Sequence, residues 1–215
     1  MSRLRVGVLI SGRGSNLRAL LAACVDTTYP AEIVSVVSDR AEAPGLAFAQ
    51  AAGICSAVIP HHSRQAFAAQ AEVLLRDQQV QLVCLAGFMR VLDAAFVEAW
   101  SDRMVNIHPS LLPAFPGLHP QSQALAAGVR FTGCTVHFVR REVDAGPIIS
   151  QAVVPIHPDD DETSLAARIL GVEHRLYPLT VRLIAEGRVR VVADKVEIEG
   201  WRAPKIAVQN PDPCP

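Results

Sequence analysis

The sequence has almost no surplus of charge: 20 basic and 21 acidic residues leave a formal net charge of −1 over 215 residues. No long-range field therefore draws the chain to DNA, RNA or an anionic membrane, and an anionic ligand has to be held by local donors. Long apolar runs are also missing, each being broken by charge or glycine, which argues against a membrane-spanning helix. The start, Met1-Ser2-Arg3-Leu4-Arg5, leads straight into a strand-like stretch without a signal-peptide cleavage pattern. A soluble cytoplasmic protein is expected. The five cysteines, Cys24, Cys55, Cys84, Cys134 and Cys214, are odd in number and far apart, with no Cys-x-x-Cys pair. That spacing supports neither a disulfide framework nor a thiolate zinc site; buried thiols are expected instead.

What the sequence does have is a hydrophobic half, enough for the core of one domain. Val6 to Ile10 is a nearly continuous apolar run, the pattern of a strand covered on both faces. After a glycine turn, Leu17, Leu20, Leu21 and Cys24 form one helical stripe. Alternation continues with strands at Ile33 to Ser38, Ala57 to Ile59, Leu82 to Ala86 and Met104 to Ile107. Between them the spacing predicts helices near Pro44 to Ala52, Gln65 to Gln79 and Asp93 to Trp100. A Pro-rich loop, Pro109 to Pro120, is expected to be stiff and exposed. Two strands, Thr132 to Val139 and Ile148 to Ile156, follow with mixed pairing, then a helix from Thr163 to Glu186, a hairpin from Val189 to Ile198, and a frayed tail, Pro211 to Pro215. Repeated βα units predict an α/β, doubly wound, mainly parallel but mixed sheet with helices on both faces. Ligands of such sheets sit beyond the strands' carboxyl ends, near the point where strand order reverses.

The first such loop is Ser11-Gly12-Arg13-Gly14-Ser15-Asn16. Its backbone N–H groups and the following helix can face an anion, and a monophosphate suits so short an element better than a pyrophosphate. A tight turn with a Ser or Asn cap fits the same residues. Asp39, some twenty residues on, suggests a dinucleotide fingerprint, but Leu17 stands at the third glycine position and the P-loop lysine is absent. Asn106 and His108, two apart at a strand end, share one face and can address one reacting atom at a sheet edge or mouth. An amide can support an oxyanion, and imidazole can move a proton near neutral pH. Asp144 lies in the charged turn Arg140-Arg141-Glu142-Val143-Asp144-Ala145-Gly146-Pro147, where it can orient or charge an imidazole. A capped loop histidine and an Asx-turn aspartate account for the same spacing. His137 alternates with apolar residues and either faces the site or is a core histidine. His61-His62 and the run His157 to Glu162 look metal-like by composition only; the acidic run suits a helix entrance.

The longer string Asn106-Ile107-His108-Pro109-Ser110-Leu111-Leu112-Pro113, with Phe115-Pro116-Gly117-Leu118-His119, closely resembles the signature of the phosphoribosylglycinamide formyltransferase family. Ser11 to Leu17, Leu85 to Leu92 and Asp144 to Ile149 resemble it too, in order, so the resemblance covers nearly the whole chain. It implies a Rossmann-like formyltransferase fold, 10-formyltetrahydrofolate as co-substrate, no metal, and transfer of formyl to the amine of a phosphoribosylglycinamide in purine synthesis. It implies one domain over 1–215, with a phosphate-binding half at 1–107, a folate-binding and catalytic half at 108–200, and a tail at 201–215. Residue by residue, it assigns catalysis to Asn106, His108 as general acid, and Asp144 as the carboxylate that supports its charge. Folate would meet Arg64, Met89, Arg90, Val91, Leu92, Asn106, Arg140, Arg141, Glu142, Val143 and Asp144, and the phosphorylated substrate Gly14, Ser15, Asn16 and Glu173. The partners implied are small molecules, not nucleic acid or membrane, for a monomer or homodimer. Leu170 and Ala114 depart from the family, where glutamine and a basic residue are frequent; Ala145 stands in a common Asp-Gly-Gly turn and would be strained at positive φ. Hydrolysis of the formyl donor and formylation of tRNA or a sugar amine are rival activities; chain length argues against the first two, whose enzymes usually carry a further domain. A non-catalytic folate or nucleotide-binding regulator is the rival of a different class.

Overall fold

A computed structural model describes residues 2–203, 205 and 208–211. Seven strands form one sheet in the order β3-β2-β1-β4-β5-β6-β7. They are β1 (Leu4–Ile10), β2 (Ala31–Ser38), β3 (Cys55–Val58), β4 (Leu82–Leu85), β5 (Met104–His108), β6 (Phe131–Phe138) and β7 (Ile148–Pro155). The first five are parallel, whereas β6 runs antiparallel to β5 and β7 antiparallel to β6. The mixed pairing read from the sequence is therefore the pairing seen. Strand order reverses between β1 and β4, so the loops after those strands flank the crevice position at which ligands of such sheets sit.

Helices cover both faces. α1 (Ser15–Cys24) and α6 (Glu162–Ala185) pack Leu17, Leu20, Leu165, Ile169 and Tyr177 against Val6, Val8 and Ile10. On the opposite face, α3 (Arg64–Asp77) and α4 (Ala94–Ala99) bring Phe67, Leu75 and Phe96 to Leu9, Val37 and Leu85. Alternate residues of β1 thus serve two cores, which is why the run is apolar without interruption. The remaining elements are α2 (Leu46–Ala51), α5 (Pro120–Ala126) and the hairpin β8 (Val189–Val192) with β9 (Lys195–Ile198). The acidic run is the entrance to α6: Asp161 accepts from Ser164 N–H in a capping box, and Asp160 pairs with Arg168 at 2.6 Å. Tyr177 bridges α6 to the sheet, its buried hydroxyl lying 3.0 Å from the Leu85 carbonyl and 3.2 Å from that of Val105. This fixes α6 beneath the strands that carry the site.

Three expectations need correction. The sequence reading has no α5, because a seven-residue helix behind a proline and with only Pro120 and Ala124 buried shows no apolar stripe. Not all thiols are buried: Cys84 and Cys134 are, and burial pushes each up to about 12, but Cys24 is half-buried and Cys55 is exposed. The Pro109 to Pro120 loop is only partly exposed, since Ser110 and Leu112 are buried. Cys214 and the tail beyond Pro211 lie outside the described residues. Among the described residues no helix is long and apolar enough to cross a membrane.

Candidate active site

Asn106 and His108 occupy β5, whose period of two sends both side chains to one face. β5 is an interior strand with β6 beside it, not a sheet edge. The antiparallel register sets Asn106 opposite His137 and His108 opposite Thr135. Asp144 comes from the turn between β6 and β7. Because β6 runs backwards, that turn starts beside the amino end of β5, where Val139 N–H bonds to Met104 O at 2.8 Å. Asp144 therefore reaches the pair alongside the strand, and its Oδ2 lies 3.3 Å from His108 Nδ1.

The hydrogen bonds assign the ring protons. His108 Nε2 is 2.9 Å from the Phe115 carbonyl, which only accepts, so Nε2 carries a hydrogen and Nδ1 is the nitrogen that faces the carboxylate. His137 is buried, with Nδ1 donating to the Phe138 carbonyl at 2.9 Å. Its Nε2 can then accept from Asn106 Nδ2 at 3.3 Å. One amide hydrogen of Asn106 is thereby used and the second is left for a reacting oxygen. Asp144 also accepts the Gly117 N–H at 2.8 Å, and its Oδ1 lies 3.6 Å from His137 Nε2. Burial by itself would raise the Asp144 pKa, but the Gly117 N–H and the charge of His108 help to hold the carboxyl below its ordinary value. A carboxylate, an imidazole and a free amide N–H on one buried face can support an oxyanion and relay a proton.

The loop after β5 is pinned from β6. Thr135 Oγ1 donates to Ser110 O at 2.7 Å and accepts from Leu112 N–H and Gln151 Nε2, each at 3.0 Å. Phe115, Gly117 and His119 have φ of 55°, 80° and 54°, and this winding path turns the Phe115 carbonyl and the Gly117 N–H onto the site. Ala145 is not at positive φ; Asp144 is, at 54°. Gly146 takes the close approach instead, since a Cβ there would overlap the Phe138 carbonyl.

At the crevice, Gly14 is the residue before α1, with φ of 71° and no side chain capping the helix. The Ser or Asn cap allowed by the sequence is not formed, and the first-turn N–H groups are left to another acceptor. Asn16 Nδ2 donates to Glu173 Oε2 at 2.7 Å, and burial of Glu173 keeps its carboxyl above the ordinary range despite that bond. Asp39 is not free to hold a ribose, because Arg90 Nε donates to it at 2.7 Å. Met89, Val91, Val143 and Arg141 are exposed, Leu92 is buried, and Arg140 pairs with Asp102 at 2.6 Å and Asp194 at 3.3 Å. Arg141 pairs with Glu98. Glu142 and Arg64 are exposed, and no hydrogen bond joins Arg64 to the trio. Among the described residues no group of three or more His, Cys, Asp or Glu is arranged to hold a metal.

Sequence reasoning missed Thr135, Gln151 and the backbone groups of Phe115 and Gly117, and left His137 undecided. Only the β5–β6 register carries the signal that places His137 and Thr135 at the site.

Comparison with known proteins bears on the same segments. The family described as formyl transferase matches residues 4–181. Phosphoribosylglycinamide formyltransferase of Escherichia coli (strain K12) is 40% identical over 94% of this chain and 96% of that protein. The trifunctional purine biosynthetic protein adenosine-3 of Drosophila pseudoobscura pseudoobscura is 50% identical over 89% of this chain, which spans 14% of that much longer protein. The crystal structure of glycinamide ribonucleotide transformylase 1 from Symbiobacterium toebii superposes with a TM-score of 0.88 at 48% identity, covering 91% of this chain and 94% of that one.

Proposed function

Because the chain belongs to the formyl transferase family, we propose that it moves the formyl group of 10-formyltetrahydrofolate to the amine of N1-(5-phospho-D-ribosyl)glycinamide, a step of purine synthesis. The observation that carries this reading is the convergence of Asn106, His108 and Asp144 on one face, in a chain related over nearly all its length to a phosphoribosylglycinamide formyltransferase. The amine attacks the formyl carbon, a tetrahedral intermediate forms, and the bond to the folate nitrogen breaks. Asn106 supports the oxyanion with its free amide hydrogen. His108 and Asp144 carry the proton released by the amine to the departing nitrogen, so atoms and charge balance between N-formyl product and tetrahydrofolate. Met89 to Leu92, Arg140 to Asp144 and Arg64 form the folate side; the exposed apolar Met89, Val91 and Val143 suit a flat heterocycle.

The uncapped first turn of α1 supports phosphate binding at Gly14, Ser15 and Asn16, with Glu173 aiding the ribose. Acting on small molecules in the cytoplasm, the protein works as a monomer or homodimer without a nucleic-acid or membrane partner, in keeping with its near-zero net charge. The test is incubation with 10-formyltetrahydrofolate, with and without the glycinamide ribonucleotide. Tetrahydrofolate should form only with the amine present; release of formate without it would point to hydrolysis and overturn the proposal.

Gly14→Ala tests the phosphate side. Left-handed φ disfavours alanine by about 1–2 kcal/mol, and the new Cβ would stand 2.5 Å from Gly45 Cα. The KM for the phosphorylated amine should rise roughly tenfold or more, with the folate KM nearly unchanged, in steady-state titrations of each substrate.

A further inference from the structure

Three neighbouring strands deliver three loops to the crevice: Ser11 follows β1, Asp39 follows β2, and Met89 and Arg90 follow β4. These loops are cross-linked. Ser11 N–H bonds to Gly87 O at 3.2 Å, and Ser11 Oγ accepts the Met89 N–H at 2.9 Å. The Asp39 side chain is fully buried and accepts from Arg90 Nε at 2.7 Å. Ser11 lies beside the Asp39 carboxylate, although Asp39 Oδ1 makes no hydrogen bond of normal length. Burial would raise the Asp39 pKa, but the Arg90 hydrogen bond, Ser11 and the charges of Arg90 and Arg40 together hold it below the ordinary range. Burying a carboxylate is unfavourable unless its partner stays in place, so the charge of Asp39 and the position of Arg90 depend on each other.

We infer that Asp39 is a positioning residue for the folate: through Arg90, and together with Ser11, it anchors the stretch Met89–Leu92 to the phosphate-side loop. The inference rests on the functional reading above. Asp39 makes no hydrogen bond to the trio and its side-chain partner is Arg90, so its loss should fall mainly on the folate side. Among the described residues, Arg90 makes no other side-chain hydrogen bond, so without Asp39 nothing holds its Nε. Met89 is 67% exposed, so its own packing restrains it little.

The experiment compares wild type, Asp39→Ala, Asp39→Asn and Ser11→Ala. Binding of 5-formyltetrahydrofolate, an isomer of the formyl donor that serves as an equilibrium probe, is measured by calorimetry, alongside steady-state kinetics. Asp39→Ala should raise the probe's Kd and the KM for the formyl donor about tenfold, leaving kcat and the KM for the phosphorylated amine within about twofold. Asp39→Asn keeps an acceptor for Arg90 and should recover most of the loss; Ser11→Ala should raise the same Kd about threefold. Probe binding by Asp39→Ala within twofold of wild type overturns the inference, as does an equal loss for both ligands. Should Asp39→Ala not fold, Ser11→Ala decides: a threefold weaker probe supports the inference, and unchanged binding overturns it. A wild type that transfers no formyl overturns the functional reading, and this inference with it; normal transfer with an unaffected Asp39→Ala overturns the inference alone.

Discussion

Replacing His108 by alanine should lower kcat for formyl transfer by about a thousandfold while leaving both KM values within about threefold. The ring is buried, its Nε2 is held by the Phe115 carbonyl, and its Nδ1 faces Asp144. The neighbouring imidazole, His137, does not take its place, being turned to the Phe138 carbonyl and to Asn106. Since its contribution grows as charge develops on the formyl oxygen and the departing nitrogen, the loss falls on the transition state and spares ground-state binding. Single-turnover rates with both substrates saturating, set beside equilibrium binding, separate the two. A variant that lost binding and kept kcat would make His108 a binding residue only. The double variant with Asn106→Ala should lose far less than the product of the single losses, because both groups act on one tetrahedral intermediate.

Asp144→Asn should be nearly as severe, with kcat falling about 10²- to 10³-fold. The amide keeps the size and one acceptor, but it removes the negative charge 3.3 Å from His108 Nδ1 and can present an N–H to that nitrogen instead. The pH dependence has a definite sign. The Asp144 carboxyl is held below its unfolded value, so its stabilising contribution is complete above the ordinary aspartate pKa and is lost as pH falls through the depressed folded value. The wild type therefore loses this contribution only below about pH 4, and melting temperatures of wild type and Asp144→Asn should converge as pH drops through that range. A gap that stays constant from about pH 7 down to about pH 3 would show that the carboxylate adds nothing through its charge.

Much of the scaffold was readable because its physics is local. The double-sided apolar run of β1, the stripe of α1 and the period of two that aligns Asn106 with His108 each depend on residues a few positions apart. The acidic entrance to α6 was legible for the same reason, a cap being a property of adjacent residues. The site's completion is not local. His137 meets Asn106 through a register set across a sequence separation of 31, and Asp144 returns only because β6 runs backwards. Phe115 and Gly117 contribute backbone atoms, for which residue type carries no signal. Asp39 is a different case: Leu17 already argues against a ribose role for it, but nothing near it in sequence points to Arg90, the partner to which the fold commits it. The family resemblance implies the trio and a folate side, but it contains no trace of Thr135 and Gln151 clamping the loop after β5.

The carbonyl of Phe115 gives the imidazole a handedness. With one ring edge engaged by a fixed acceptor, His108 cannot flip about its Cβ–Cγ bond without abandoning that contact. The two edges therefore differ in traffic: the Nε2 hydrogen is parked, while Nδ1, beside Asp144, is the nitrogen that takes up and gives away a proton. A nitrogen-15 spectrum of the neutral ring should show the Nε2–H tautomer alone, with Nδ1 the unprotonated nitrogen. The enzyme would then begin each turnover with the direction of its proton wire already chosen.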